Sequence, residues 1–194
     1  MTEKSSQERD YLPGMGKHYL MPFYDVLHRV SGLAAVHDDM VGLAGLRAGQ
    51  RVLDVGCGTG NLLRAAGKRH RDVELTGVDP DLKMLARAEG KLRRAGLPAR
   101  LDRGFAQELA FADDSFDAVF SSLMLHHLDG PSKGEMLAEV RRVLKPGGVL
   151  VLADIAHHGH VTEGIAAAGF TLEPTRTRKL RMFGEVGIEV AKVH

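Results

Sequence analysis

Val52-Leu53-Asp54-Val55-Gly56-Cys57-Gly58-Thr59-Gly60 decides how the rest of this chain is read. It starts as a short apolar run of the kind that forms a buried parallel strand. Three glycines spaced G-x-G-x-G follow, and a helical pattern begins at Asn61. A strand feeding a helix through such a turn needs glycine for a physical reason. Without a Cβ the chain turns tightly, and a ligand can approach the main chain closely at a helix N-terminus.

Outward from this stretch, strands and helices alternate. Residues 51–55, 73–78, 98–102, 117–123 and 149–155 read as strands. Residues 61–70, 81–95 and 131–144 read as helices, with Asp81 able to cap the second. Such alternation argues for an α/β fold, a doubly wound, mostly parallel sheet wrapped by helices on both faces. The tail departs from the pattern, with a short helix through 165–168 and then strand-like runs at 170–176 and 186–193. Ahead of the first strand, Pro22 suits a first helical turn, and Phe23, Val26, Leu27 and Val30 share one face. A second amphipathic pattern carries Leu33, Val36, Met40 and Leu43. Residues 1–12 are polar and expected to be disordered. The expected organisation is one compact unit, with 1–45 supplying a disordered N-terminus plus a helical lid and 46–194 the ligand-binding domain.

Two familiar glycine loops fail against the opening stretch. The dinucleotide fingerprint G-x-G-x-x-G needs glycine where Asn61 stands, and the nucleoside-triphosphate loop fails around Gly67-Lys68, which Arg69 follows. What the stretch resembles is motif I of class I S-adenosylmethionine-dependent methyltransferases. Further motifs in the same order carry that resemblance over residues 50–155. Gly104-Phe105-Ala106-Gln107-Glu108-Leu109-Ala110-Phe111-Ala112-Asp113-Asp114-Ser115-Phe116-Asp117 is similar to the segment between strands three and four in the ubiquinone/menaquinone-type (methyltransferase domain 11-like) branch. Glu139-Val140-Arg141-Arg142-Val143-Leu144-Lys145-Pro146-Gly147-Gly148 is similar to its lead into strand five. The resemblance implies a Rossmann-like, seven-stranded sheet ending in an antiparallel hairpin, with S-adenosyl-L-methionine as cofactor.

Asp79 closes strand two, 23 residues beyond Gly56, with Pro80 beside it. Folds of this type bind ligands at the carboxyl ends of strands, where an acid at about this spacing grips both ribose hydroxyls. The plainer reading of Asp79 is a helix cap. The resemblance places the cofactor on Asp54, Gly56, Cys57, Gly58, Thr59 and Gly60, and on Asp79 and Pro80. Asp54 can also serve simply to hold loop amides. Cys57 reads as a small residue tolerated in the loop rather than a nucleophile. In the branch, a polar residue at the position of Phe105 bonds the adenine amino group. Here a phenyl ring can only stack, while Ala106 still offers a main-chain amide. Ser122 stands where the family contacts the cofactor's methionine portion.

Histidines gather on the expected acceptor side: His126 and His127 after strand four, and His157, His158 and His160 after strand five. A neutral imidazole can take a proton from an acceptor hydroxyl near neutral pH, so His126 and His127 are the catalytic candidates. Surface or packing roles are the alternative. No metal is expected, since the spacing matches no usual zinc pattern. The basic run of Arg176, Arg178, Lys179 and Arg181 reads as a solvated strand face. Relatives carry a long cover after strand five, whereas here only a short loop around 157–160 is expected. The N-terminal helices are therefore the expected lid, with Tyr19, Phe23, Tyr24, His28 and His157 facing the acceptor. Alternatively those helices pack on the sheet edge or pair with a second copy in a homodimer.

Composition narrows the partners. With 194 residues, 44% apolar and a net charge of +1, the chain suits one soluble domain with no field to draw in nucleic acid. The longest apolar runs fall short of a membrane span, and the polar N-terminus does not read as a secretory signal. A cytoplasmic setting is the expectation. The residue after strand four is not the N/D-P-P-Y/F of amino-methylating enzymes, and the single cysteine does not suit cysteine-dependent acceptors. A small organic acceptor remains, methylated at oxygen, nitrogen, sulfur or carbon. Two other readings stay open: a module that binds S-adenosylmethionine or S-adenosylhomocysteine without turnover, and a nicotinamide oxidoreductase.

Overall fold

Apolar side chains stand on both faces of the central strands, so each face must be covered by helices. The computed structural model describes residues 31–155, 158–180, 182 and 184–194. In chain order the elements are α1 (Leu33–Ala44), β1 (Arg51–Val55), α2 (Asn61–Arg69), β2 (Glu74–Asp79), α3 (Leu82–Arg94), β3 (Ala99–Arg103) and β4 (Phe116–Ser122). A 3-10 turn (Leu125–His127), α4 (Gly130–Val143), β5 (Leu144–Ile155), α5 (His158–Ala167), β6 (Thr171–Leu172), β7 (Arg176–Leu180) and β8 (Gly184–Lys192) complete the fold.

The sheet runs in the order β3-β2-β1-β4-β5-β8-β6, with β7 also paired to β8. The strands from β3 to β5 are parallel, and β8 is antiparallel to β5. Alternation along each strand sends its side chains into two cores. Val52, Phe120, Val151 and Ala153 pack with Val36, Met40, Leu63 and Leu92 on one face. Leu53, Val55, Val119, Leu150 and Leu152 pack with Met136, Val140 and Ile165 on the other. Strand order reverses between β1 and β4, which puts the loop after β1 at the topological switch point.

The expected seven-stranded sheet is present as seven strand positions, but the last holds two segments. Residues 170–176 were expected to form one strand. Instead β6 and β7 lie on the same edge of β8, separated by residues 173–175. Pro174 stands in that gap and has no N–H to give the ladder. Glu173 N still donates to Val190 O at 2.8 Å, so the interruption is local. Arg176, Arg178 and Lys179 of the basic run belong to β7, where Arg178 is tied to Asp39 of α1 at 2.6 Å, while Arg181 lies outside the described residues.

The other departure concerns the N-terminal lid. Its second helix, α1, reaches the strand ends through His37, which meets Ser122 at the close of β4. It packs on a face of the sheet, with Val36 and Met40 fully buried in the core shared with α2 and β5. Tyr19, Phe23, Tyr24 and His28, and the other expectations for residues 1–30, lie outside the described residues. So do His157 and the side chains of His158 and His160. The loop expected around 157–160 is shorter than the sequence suggests, because α5 begins at His158.

Candidate functional site

The glycine loop is folded back over the end of β2. Gly56 N and Cys57 N both donate to Val78 O, at 2.9 and 3.0 Å. Gly56 has φ 73, a left-handed conformation open to glycine, and a Cβ there would meet Met124 Cγ at 2.5 Å. Gly58 also has positive φ, but a Cβ added to it would find nothing within 4 Å. The loop is therefore packed from one side and bare on the other. Gly60 is the N-cap of α2, so the bare side adjoins a helix N-terminus.

The two side chains within the loop turn away from that bare side. Cys57 belongs to the core shared with α2, with Sγ close over Gly77. Burial pushes its thiol well above the usual range, and the charges of Asp54 and Asp79 push the same way. It is no nucleophile. Thr59 is buried and accepts from Lys91 Nζ of α3 at 2.8 Å, while the same Nζ donates to Asn61 Oδ1 at 2.6 Å. Thr59 and Cys57 thus offer a ligand main chain only.

Asp79 ends β2 beneath the loop. Its Oδ2 accepts from Gly58 N at 2.8 Å, and its Oδ1 from Asp81 N at 2.9 Å. The cap of α3 is Asp81, whose side chain accepts from Lys83 N, so Asp79 is not needed for that role. Each carboxylate oxygen has two lone pairs, so two remain for further donors. Burial raises the Asp79 pKa, against the pull of its two amide partners. Asp54, one residue before the end of β1, is almost fully buried. Burial, with the charge of Asp79, pushes its pKa up to about 8. Two buried acids thus lie beside a glycine loop that is bare on one side.

Phe105 and Ala106 join the site through β3. Arg103 pairs with Asp79 in register, and Gly104 N reaches Asp79 O at 3.4 Å. The following turn closes with Glu108 N donating to Phe105 O at 3.2 Å. Ala106 is buried, and Phe105 is half-buried. A clamp from α4 holds this segment. Arg142 donates to Leu109 O, Phe111 O and Asp113 Oδ1, and Glu139 Oε2 accepts from Leu109 N at 2.8 Å. Pairing with Arg142 holds the Glu139 carboxyl below the ordinary glutamate range. Pro80, between Asp79 and Asp81, accepts from Arg103 Nε through its carbonyl.

On the far side of the switch point, the ends of β4 and β5 carry a second group. Ser122 Oγ lies 3.1 Å from His37 Nε2 of α1. Leu123 has φ 52, an unusual conformation for a branched residue, and its N–H donates to Ala153 O. The chain then turns back so that His126 meets Asp154 of β5. Nδ1 of His126 lies 2.6 Å from Asp154 Oδ1, and His126 N donates to Asp154 Oδ2 at 3.0 Å. Ile155 N also donates to Oδ1. A carboxylate receiving these donors places the imidazole proton on Nδ1 and leaves Nε2 as the basic nitrogen. The His127 ring lies against that of His126, tilted by 45° with centroids 4.0 Å apart. Burial, together with the His126 charge, lowers its pKa despite Asp154. Of the two candidate bases, His126 alone is oriented by an acid.

Asp154, His37, Lys91, Glu139 and Arg142 are absent from the candidates that the sequence offers. Asp154 leaves one trace there, an acid closing the apolar run Val149-Leu150-Val151-Leu152-Ala153. The i, i+3 pair Glu139 and Arg142 is also visible, but not its target.

Residues 52–148 match the sequence pattern described as a methyltransferase domain, half of the chain. The chain belongs to the methyltransferase domain family. The class I type and the ubiquinone/menaquinone-type branch implied by its motifs stand. A 27-O-demethylrifamycin SV methyltransferase from Amycolatopsis mediterranei is 38% identical over 120 residues, 60% of this chain and 43% of that protein. A demethylmenaquinone methyltransferase from Renibacterium salmoninarum is 38% identical over 139 residues, 70% of this chain and 55% of that protein. The methyltransferase domain thus spans about half the length of the curated relatives it matches. Among solved structures, the cyclase SpnF superposes with a TM-score of 0.74 at 20% identity, covering 82% of this chain and 80% of that one. That likeness concerns the fold. No helix among the described residues is long and apolar enough to cross a membrane.

Proposed function

We propose that this methyltransferase domain binds S-adenosyl-L-methionine across the ends of β1 and β2 and methylates a hydroxyl of a small organic acceptor, with His126 as general base. The pairing of His126 Nδ1 with Asp154 at 2.6 Å carries the reading. Such an orienting acid is of use when the acceptor arrives with a proton to lose. The relatives named for demethylrifamycin and demethylmenaquinone support a small organic acceptor.

The residues present fit the cofactor. A Cβ at Gly58 would meet nothing within 4 Å, so the main chain there is open to a ligand, and Asp79 keeps lone pairs for two ribose hydroxyls. Phe105 lies where its ring can stack on a base, with the Ala106 amide next to it. Asp54, which keeps its proton up to about pH 8 in the ligand-free protein, can release it and turn negative beside a bound cation. When bound, the cofactor supplies a methyl group on a positively charged sulfur. His126 Nε2 accepts the acceptor hydroxyl's proton as that oxygen gains its methyl. Asp154 holds the ring in the required tautomer and stabilises the imidazolium that results.

The test is turnover of a panel of phenols and enols, followed as S-adenosylhomocysteine formed. His126→Asn and Asp154→Asn should each lower kcat by about 10²–10⁴ while leaving S-adenosylhomocysteine affinity within about threefold. Unchanged kcat in His126→Asn refutes the base assignment. Phe105 favours a second reading, cofactor binding without transfer, because it removes a polar adenine contact. Tight cofactor binding with no turnover across the panel selects that second reading.

A further inference from the structure

His37 is 5% exposed, at the end of the sheet where Ser122 sits. On α1 it shares one stripe with Leu33, Met40 and Val41, at the i, i+3, i+4 spacing of a buried face. Those three neighbours are apolar, and a leucine would serve burial alone. An imidazole must find a hydrogen-bond partner when buried, and this one reaches Ser122 Oγ at 3.1 Å. Helix α1 cannot shift easily, because Val36 and Met40 are fully buried and Asp39 is paired with Arg178 of β7. Ser122 itself precedes the left-handed Leu123, where the chain leaves β4 for the catalytic turn.

We propose that His37, which lies outside the stretch matched by the family pattern, is a positioning residue for the amino-acid end of the cofactor, acting through Ser122. A free serine hydroxyl samples several rotamers, and a tether to a rigid ring selects one. A hydroxyl has one donor and two lone pairs, so whichever nitrogen carries the ring proton, at least one lone pair remains. That lone pair, fixed at the end of β4 opposite the glycine loop, can accept from an ammonium group. The inference rests on the donor reading above and extends it to a helix read from the sequence as a lid, a sheet-edge element or a dimer contact.

Calorimetry with S-adenosylhomocysteine on the full chain tests it, using wild type, His37→Phe, His37→Gln, Ser122→Ala and the His37→Phe/Ser122→Ala double variant. His37→Phe and Ser122→Ala should each weaken binding about tenfold, the scale of one lost hydrogen bond. The double variant should be no weaker than Ser122→Ala alone, because His37 acts only through that hydroxyl. His37→Gln, which keeps an amide to meet the hydroxyl, should stay within about threefold. Should His37→Phe not fold, His37→Asn, whose shorter amide falls short of Ser122, takes its place in the cycle. Losses that multiply in the double variant, or His37→Phe (or His37→Asn in its place) binding as well as wild type, overturn the inference while the donor reading stands. A wild type that binds no S-adenosylhomocysteine overturns both.

Discussion

Asp54→Asn should make the ligand-free protein more stable at neutral pH while weakening its hold on a cation. An aspartate in the unfolded chain ionises near pH 3.9, whereas burial pushes the native group up to about 8. Because the folded pKa is raised, the favourable contribution is complete below about pH 4 and is lost as pH rises towards 8. Within that window the unfolded chain has released a proton that the native chain keeps. Each pH unit therefore removes about 1.4 kcal/mol, or roughly 6 kcal/mol across the window. Asparagine has nearly the same shape and no proton to lose, so its stability lacks that slope. Urea unfolding at pH 5, 6, 7 and 8 gives the difference between wild type and variant, in which other titrating groups largely cancel. The difference should grow with pH in favour of the variant and level off above about pH 8. In the same variant S-adenosylmethionine should lose more affinity than the uncharged-sulfur S-adenosylhomocysteine. Parallel stability curves from pH 5 to 8 would refute the reasoning.

Phe105→Ala should weaken S-adenosylhomocysteine binding by about 1–2 kcal/mol through lost area and stacking, and Phe105→Asp should restore it by accepting from the adenine amine. Calorimetry in which neither change matters would take Phe105 out of the site. Arg142→Ala removes the donor to Phe111 O and one of the two donors to Leu109 O, together with the partner of Glu139, and should lower stability by about 2–3 kcal/mol in urea unfolding. Its cofactor affinity should also fall, since the loop carrying Phe105 and Ala106 loses its clamp; a stable variant with loosened protection of residues 105–113 in hydrogen exchange, but unchanged affinity, would separate clamp from site.

The half of the site around β1 and β2 is legible in the chain because it is local. The loop follows its strand directly, and Asp79 follows at a spacing set by one helix and one strand. Asp81 could likewise be assigned as the cap of α3 from neighbouring residues alone. The half around β4 and β5 is less legible, because each of its pairs joins residues distant in sequence. His126 and Asp154 are 28 apart, and His37 and Ser122 are 85 apart. No local pattern marks such partners, so His126 and His127 look equivalent until Asp154 singles out one of them. The place of α1 was hidden for a similar reason. Its apolar stripe shows that one face is covered, but a sheet face, a sheet edge and a ligand would all cover it. The division of the last edge strand, by contrast, was announced by Pro174.

The geometry of the proposed base follows from sheet register more than from any side chain. In the parallel ladder Ser122 lies opposite Ala153, so Asp154 is the first residue of β5 beyond the last paired residue of β4. A slip of one position would turn Asp154 to the other face and remove it from His126. Leu123 settles the direction in which the chain leaves. Its left-handed φ of 52 disfavours a branched side chain by about 1 kcal/mol or more, and the bond from its N–H to Ala153 O holds the bend against that strain. The next turn, Leu125–His127, is anchored by the buried Leu125, which aims His126 back at the acid. Strain at Leu123 therefore lies between the two proposed halves of the chemistry: Ser122 with His37 before it, and His126 with Asp154 after it. Neither pair could keep its geometry if this bend relaxed to an extended strand. The conformation is tolerated because ladder, core and dyad all hold the same turn.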